Sequence, residues 1–119
     1  MRPLTPLLLS ALAAGTVVIG SAVGATTKPL VATVGPGFTI TLTQGGKAVK
    51  TLKAGSYNVA VNDQSNIHNF RLKGGGTNKE LSSVSATGKK SVKLTFKKGT
   101  YTFVCDPHAS SMKGTFKVT

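Results

Sequence analysis

From residue 38 to the C-terminus the apolar side chains fall on alternate positions, and no window of that stretch shows the 3.6-residue period of an amphipathic helix. A period of two sends successive side chains to opposite faces of an extended chain, so each such run is a strand with one face buried. Phe38-Ile40-Leu42 alternate with Thr39 and Thr41, and Tyr57-Val59-Val61 with Asn58 and Ala60. Val92-Leu94-Phe96 and Tyr101-Phe103-Cys105 repeat the pattern, Ile67 to Leu72 is a further strand, and Phe116 and Val118 sit in the last one. Leu30 to Val34 make a short first strand before a turn at Gly35-Pro36-Gly37, and Gly45-Gly46 closes another turn. Gly, Thr, Ser and Asn interrupt these runs about every ten residues, the cadence of an all-β sandwich, here expected to be of Greek-key type. The polar, glycine-rich stretch from Lys73 to Lys90 has no period and reads as a long loop crossing between sheets. Leu52-Lys53-Ala54-Gly55-Ser56-Tyr57 echoes Phe96-Lys97-Lys98-Gly99-Thr100-Tyr101, each a glycine turn feeding an aromatic strand start, as two corners of a Greek key would.

Ahead of the strands, Arg2 is followed by a largely apolar run from Leu4 to Val23 and then by the small residues Gly24 and Ala25. This is the pattern of a secretory signal peptide, with cleavage expected after Ala25. A retained membrane anchor is the alternative, but Ser10, Gly15, Thr16, Gly20 and Ser21 dilute the apolar run. The only cysteine lies far downstream, so the segment offers no lipid attachment site. The expected organisation is a signal peptide over 1–25, a short leader and first strand over 26–37, and the main domain over 38–119. The product is expected to be exported to the periplasm, cell envelope or exterior, with no stable membrane insertion once the signal is removed.

A chain of 119 residues is enough for one small domain. Its only acids are Asp63, Glu80 and Asp106. So few carboxylates argue against paired-acid chemistry such as glycoside hydrolysis and against an all-oxygen Ca²⁺ or Mg²⁺ cage. One cysteine, Cys105, excludes an internal disulfide framework and a Cys₄ or Cys₂His₂ zinc site.

What remains is a small set of soft or borderline donors: His68, Cys105, His108 and Met112. Three of them fall in one segment, Cys105-Asp106-Pro107-His108-Ala109-Ser110-Ser111-Met112, with the spacing C-x2-H-x3-M between two strands. Taken singly, each has a plain structural role: a histidine satisfied at the surface or in the core, a small buried thiol, a methionine filling a gap. Together they are one thiolate, two imidazoles and a weak thioether, the donor set of a blue-copper site. Zinc also takes Cys and His, but it has no use for Met and no redox chemistry. A free thiol on an exported protein is moreover exposed to oxidation, which metal ligation prevents.

Tyr101-Thr102-Phe103-Val104-Cys105-Asp106-Pro107-His108 followed by Met112-Lys113-Gly114 resembles the copper-binding loop of the cupredoxins, the plastocyanin, pseudoazurin and amicyanin family, and His68-Asn69 is similar to that family's first ligand and the residue after it. The likeness runs over roughly 38–119. It implies a cupredoxin-like sandwich holding one type 1 copper per chain, with His68, Cys105 and His108 as the trigonal ligands and Met112 as the axial one. It implies further that Asn69 ties the two ligand loops together near Asp106, and that His108 is the surface-facing ligand through which an electron leaves. Plastocyanins commonly carry C-x2-H-x4-M and amicyanins C-x2-H-x2-M, so the loop here is intermediate in length. Val104 stands where plastocyanins place an aromatic, so their side-face electron route finds no match, and exit through His108 is expected.

Fifteen Lys and Arg against three acids give a formal net charge of +12. Lysines guard strand edges and keep a β-domain soluble, and they also steer the molecule toward an acidic redox partner. Nucleic acid is not expected, since no aromatic and basic platform is present. The leading expectation is a monomeric one-electron carrier and not an enzyme. The alternatives are a copper-holding or delivery protein of the cell envelope, and an envelope-binding module whose copper is structural.

Overall fold

The computed structural model describes residues 28–119, so the predicted signal peptide lies outside the described residues. One sheet is assembled around β1 (Leu30–Val34), the buried alternation Leu30-Ala32-Val34 facing the core. β1 pairs antiparallel with β2 (Ile40–Gln44) on one side and parallel with β5 (Gly55–Asp63) on the other. The short β3 (Lys47–Ala48) flanks β2, and the nine-residue β8 (Gly88–Phe96) forms the far edge, giving the order β3-β2-β1-β5-β8. The facing sheet runs β4-β10-β9-β6-β7, from β4 (Thr51–Leu52), β10 (Lys113–Val118), β9 (Gly99–Val104), β6 (Phe70–Gly74) and β7 (Thr77–Ser82). The chain passes back and forth between the sheets, as a Greek-key sandwich requires. Among the described residues no helix is long and apolar enough to cross a membrane.

The two inner faces meet in a core with a strong aromatic component. Tyr101 stacks on Phe116 at 5.3 Å and Phe70 on Phe103 at 5.6 Å, while Phe96 stands edge-on to Tyr101 at 5.2 Å. Such pairs each add about 0.5–1.5 kcal/mol beyond the area they bury. The two sequence echoes form equivalent corners. The Tyr57 hydroxyl donates to the Lys53 carbonyl at 2.7 Å, and the Tyr101 hydroxyl accepts from the Lys97 N–H at 2.9 Å, so each tyrosine closes on the backbone four residues back.

Three details depart from the strand expectations. The stretch from Lys73 to Lys90 is not one loop: Gly75 and Gly76 turn β6 into β7, and a short connection then leads to β8 at Gly88. Gly75 sits at φ +54°, and a side chain there would overlap the Tyr101 hydroxyl, so the turn needs glycine. β7 is an edge strand with Asn78, Lys79 and Glu80 all exposed, which erases the alternation that identifies strands. The strand expected from Phe38 begins at Ile40, and the one expected from Ile67 begins at Phe70. Phe38 and Ile67 lie in loops and are 66% and 50% exposed.

Candidate metal centre

All four soft donors lie at one end of the sandwich. β9 delivers Cys105, a 3₁₀ turn over Asp106–His108 follows with Pro107 in its first positions, and Met112 immediately precedes β10. The segment is closed on itself by backbone bonds: Cys105 N–H to the Met112 carbonyl at 3.0 Å, Met112 N–H to the His108 carbonyl at 2.8 Å and His108 N–H to the Cys105 carbonyl at 3.1 Å. The C-x2-H-x3-M spacing therefore turns Cys105, His108 and Met112 through one compact hairpin end.

His68 arrives from the loop between β5 and β6, which the chain shapes by local bonds. Asp63 Oδ1 accepts from the Ser65 N–H at 3.0 Å, and Ser65 Oγ accepts from the Ile67 N–H at 3.2 Å. Gln64 N–H bonds the Val34 carbonyl at 2.9 Å. Against this loop lies Gly35, at φ +73°, where an added Cβ would come within 2.7 Å of the Ser65 Cβ. The β1–β2 and β5–β6 loops can pack this closely only with glycine there. The β1–β2 loop then sets Phe38 edge-on against both histidine rings, at 5.1 Å from His68 and 5.0 Å from His108.

The donor atoms converge. His68 Nδ1 and His108 Nδ1 are 3.0 Å apart, and Cys105 Sγ lies 3.7 Å from the first and 3.6 Å from the second. His68 and Cys105 are fully buried and His108 is half-buried, open on one side. The centre of that triangle is about 2.0 Å from each corner, the length of an imidazole–metal bond and within a few tenths of an ångström of a thiolate–metal bond. The triangle thus fits one transition ion. Met112, 1% exposed, adds its thioether to the same loop, a soft donor suited to copper. Two buried polar atoms have no hydrogen-bond partner among the described residues, His68 Nε2 and Asp63 Oδ2.

Around the donors lies a charged network. Asp106 N–H donates to Asn69 Oδ1 at 2.7 Å, and Asn69 Nδ2 donates back to Asp106 Oδ2 at 2.8 Å, a reciprocal pair joining the His68 and Cys105 segments. Arg71 then binds Asp106 Oδ2 through Nε at 2.7 Å and Glu80 Oε2 through a terminal nitrogen at 3.0 Å. Partial burial pushes the Asp106 carboxyl up, but the hydrogen bonds from Arg71 and Asn69, with the charges of Arg71 and Lys73, outweigh it and hold the group below its ordinary range. The hydrogen bond to Asp106 raises Arg71 in turn, against a smaller effect of burial. Sequence reasoning finds Asn69 and Asp106 but misses Arg71, Glu80 and Phe38.

A family model described as copper-binding proteins of the plastocyanin/azurin family matches residues 32–119. The chain belongs to that family. Among solved structures the cupredoxin fold recurs in a methionine-to-glutamine mutant of rusticyanin, at 22% identity over 79% of this chain and 78% of that one, TM-score 0.56. A second rusticyanin variant matches at 20% identity over 81% and 79%, TM-score 0.58, and an oxidized methionine-to-leucine mutant of amicyanin at 16% over 76% and 81%, TM-score 0.51. At these identities the likeness is one of fold. No curated protein matches the sequence. Copper is the cofactor of this plastocyanin/azurin relative, which is a blue copper electron carrier in general character.

Proposed function

We propose that this cupredoxin is an exported one-electron carrier whose metal is held by His68, Cys105, His108 and Met112. The observation that carries the reading is the convergence of two imidazole nitrogens and a thiol sulfur into a triangle of 3.0, 3.6 and 3.7 Å sides. Copper bound there supplies the Cu(I)/Cu(II) couple. The protein's part is to hold donors of mixed softness in an arrangement that suits both oxidation states, so that little has to move when the electron does. His68 and Cys105 are sealed from water, whereas His108 has an open side, which supports passage of the electron through its ring.

The charge supports an acidic redox partner. Asp63 is buried, and Glu80 and Asp106 are both bound by Arg71. Among the described residues no lysine forms an ion pair, so the lysines present an uncompensated positive field. Such a field speeds encounter with an anionic surface and weakens as salt rises. Voltammetry of the copper-loaded protein tests the carrier role. A reversible one-electron wave, with reduction by an acidic donor protein slowing as salt is added, is the expected result. Absence of a reversible wave, or transfer of Cu(I) to a competing chelator within minutes, would favour a delivery protein instead.

A further inference from the structure

We propose that Arg71 is a positioning residue for the metal-ligand loop, acting through Asp106 and Asn69; the proposal rests on the copper-carrier reading. Arg71 projects from the outer face of its sheet, opposite Val104 on β9 and Glu80 on β7. Its guanidinium reaches three residues at once: Nε to Asp106 Oδ2 at 2.7 Å, Nη1 to Asn78 Oδ1 at 3.1 Å and Nη2 to Glu80 Oε2 at 3.0 Å. Two of the chain's three acidic side chains are therefore gathered on one arginine.

Their placement makes sense only with a cation present. The Asn69 amide nitrogen donates to both carboxylates, to Asp106 at 2.8 Å and to Glu80 at 3.2 Å. Two anions converging on one neutral donor repel each other, which favours rotation of the Asp106 side chain away from Asn69 on its 3₁₀ turn. With that rotation, the Asn69 Nδ2 bond to the Asp106 carboxylate would open and leave only the backbone half of the reciprocal link, Asp106 N–H to Asn69 Oδ1. That bond joins the residue after His68 to the residue after Cys105. Arg71 removes the repulsion, and because Asn78 and Glu80 hold the other two nitrogens of its planar guanidinium fork, Nε is aimed at the Asp106 carboxylate. A lysine at this position supplies the charge without the fork.

The copper-loaded protein tests this with two readouts, the rate of Cu(I) loss to a competing chelator and the reduction potential. Partners lying behind metal ligands typically govern metal affinity by tenfold or more, so Arg71→Gln is expected to speed Cu(I) loss about tenfold. It should also lower the potential, because losing a positive charge favours Cu(II). Arg71→Lys should bring the potential back toward the parent value while release stays fast. If Arg71→Gln does not fold, Arg71→Lys carries the test alone, with faster release at a near-parent potential expected. Parent-like release and potential in Arg71→Gln would overturn the proposal. So would parent-like release in Arg71→Lys. If the parent protein itself forms no blue copper site, the copper reading fails first and the proposal falls with it, a result distinct from variants that match the parent.

Discussion

Where β5 and β9 begin, the sandwich is held by Tyr57 and Tyr101, two apolar rings whose hydroxyls close on backbone four residues earlier and whose bodies pack on Phe96 and, for Tyr101, Phe116. Where β5 and β9 end, the chain buries a histidine, a cysteine, an asparagine and an aspartate and braces them with Arg71 and the two acids it binds. The first end is stable through burial and needs no ligand. The second places polar donors where burial alone is unfavourable, so its order depends on hydrogen bonds, charge and the metal. A domain this small, with no Trp and five Phe, leaves the metal a sizeable share of total stability.

This contrast can be broken from either side. The largest expected effect is Phe116→Ala, which removes a ring stacked on Tyr101 and should cost about 3–5 kcal/mol in urea unfolding. The copper-loaded variant should keep its visible spectrum, and a lost spectrum would mean the ends are not separable. Removing the metal is the counterpart at the other end. A ligand present at about a thousand times its dissociation constant stabilises by about 4 kcal/mol, so the metal-free protein should melt lower by a corresponding amount. Equal melting temperatures would show that the donor end stands unaided.

Smaller effects sharpen the boundary. Tyr57→Phe deletes one corner hydrogen bond and should cost about 1 kcal/mol with no change in the copper site. Met112→Leu is close in volume and should cost less than about 1.5 kcal/mol in the metal-free protein, yet shift the visible band of the loaded one. The smallest is electrostatic. Because the folded protein holds the Asp106 carboxyl below its ordinary range, its contribution to stability is present above the unfolded value of about 4 and is lost as pH falls through the folded one. In acid titrations of the metal-free protein, Asp106→Asn should therefore flatten the loss of stability below about pH 4. An unchanged slope would remove Asp106 from the network that orders this end.

The two ends also differ in how far they can be read from the chain. The tyrosine corners are legible twice over, because alternation and a repeated glycine turn both mark them. The donors are legible because soft ligands are scarce and three of the four lie within one short loop. Arg71 and Glu80 are not, since their meeting depends on register. Gly75-Gly76 is a two-residue turn, and counting outward from it pairs Gly74 with Thr77, Lys73 with Asn78 and Arg71 with Glu80, although a bulge follows. Read as loop, that stretch gives no such count, so the hairpin is the signal that would have found the pair. Phe38 is hidden differently. Its place in the run Phe38-Ile40-Leu42 marks it as a strand core residue, but the turn at Gly35 lifts it out of the sheet and onto the two histidine rings.

The central claim is that His68, Cys105, His108 and Met112 make one copper site out of this end of the sandwich. Adding Cu(II) to the thiol-intact protein and recording the visible spectrum tests it most directly. An intense thiolate-to-copper band that saturates at one copper per chain, and that Cys105→Ser abolishes, is the predicted result. Copper that binds without colour, or a band that survives Cys105→Ser, would contradict it.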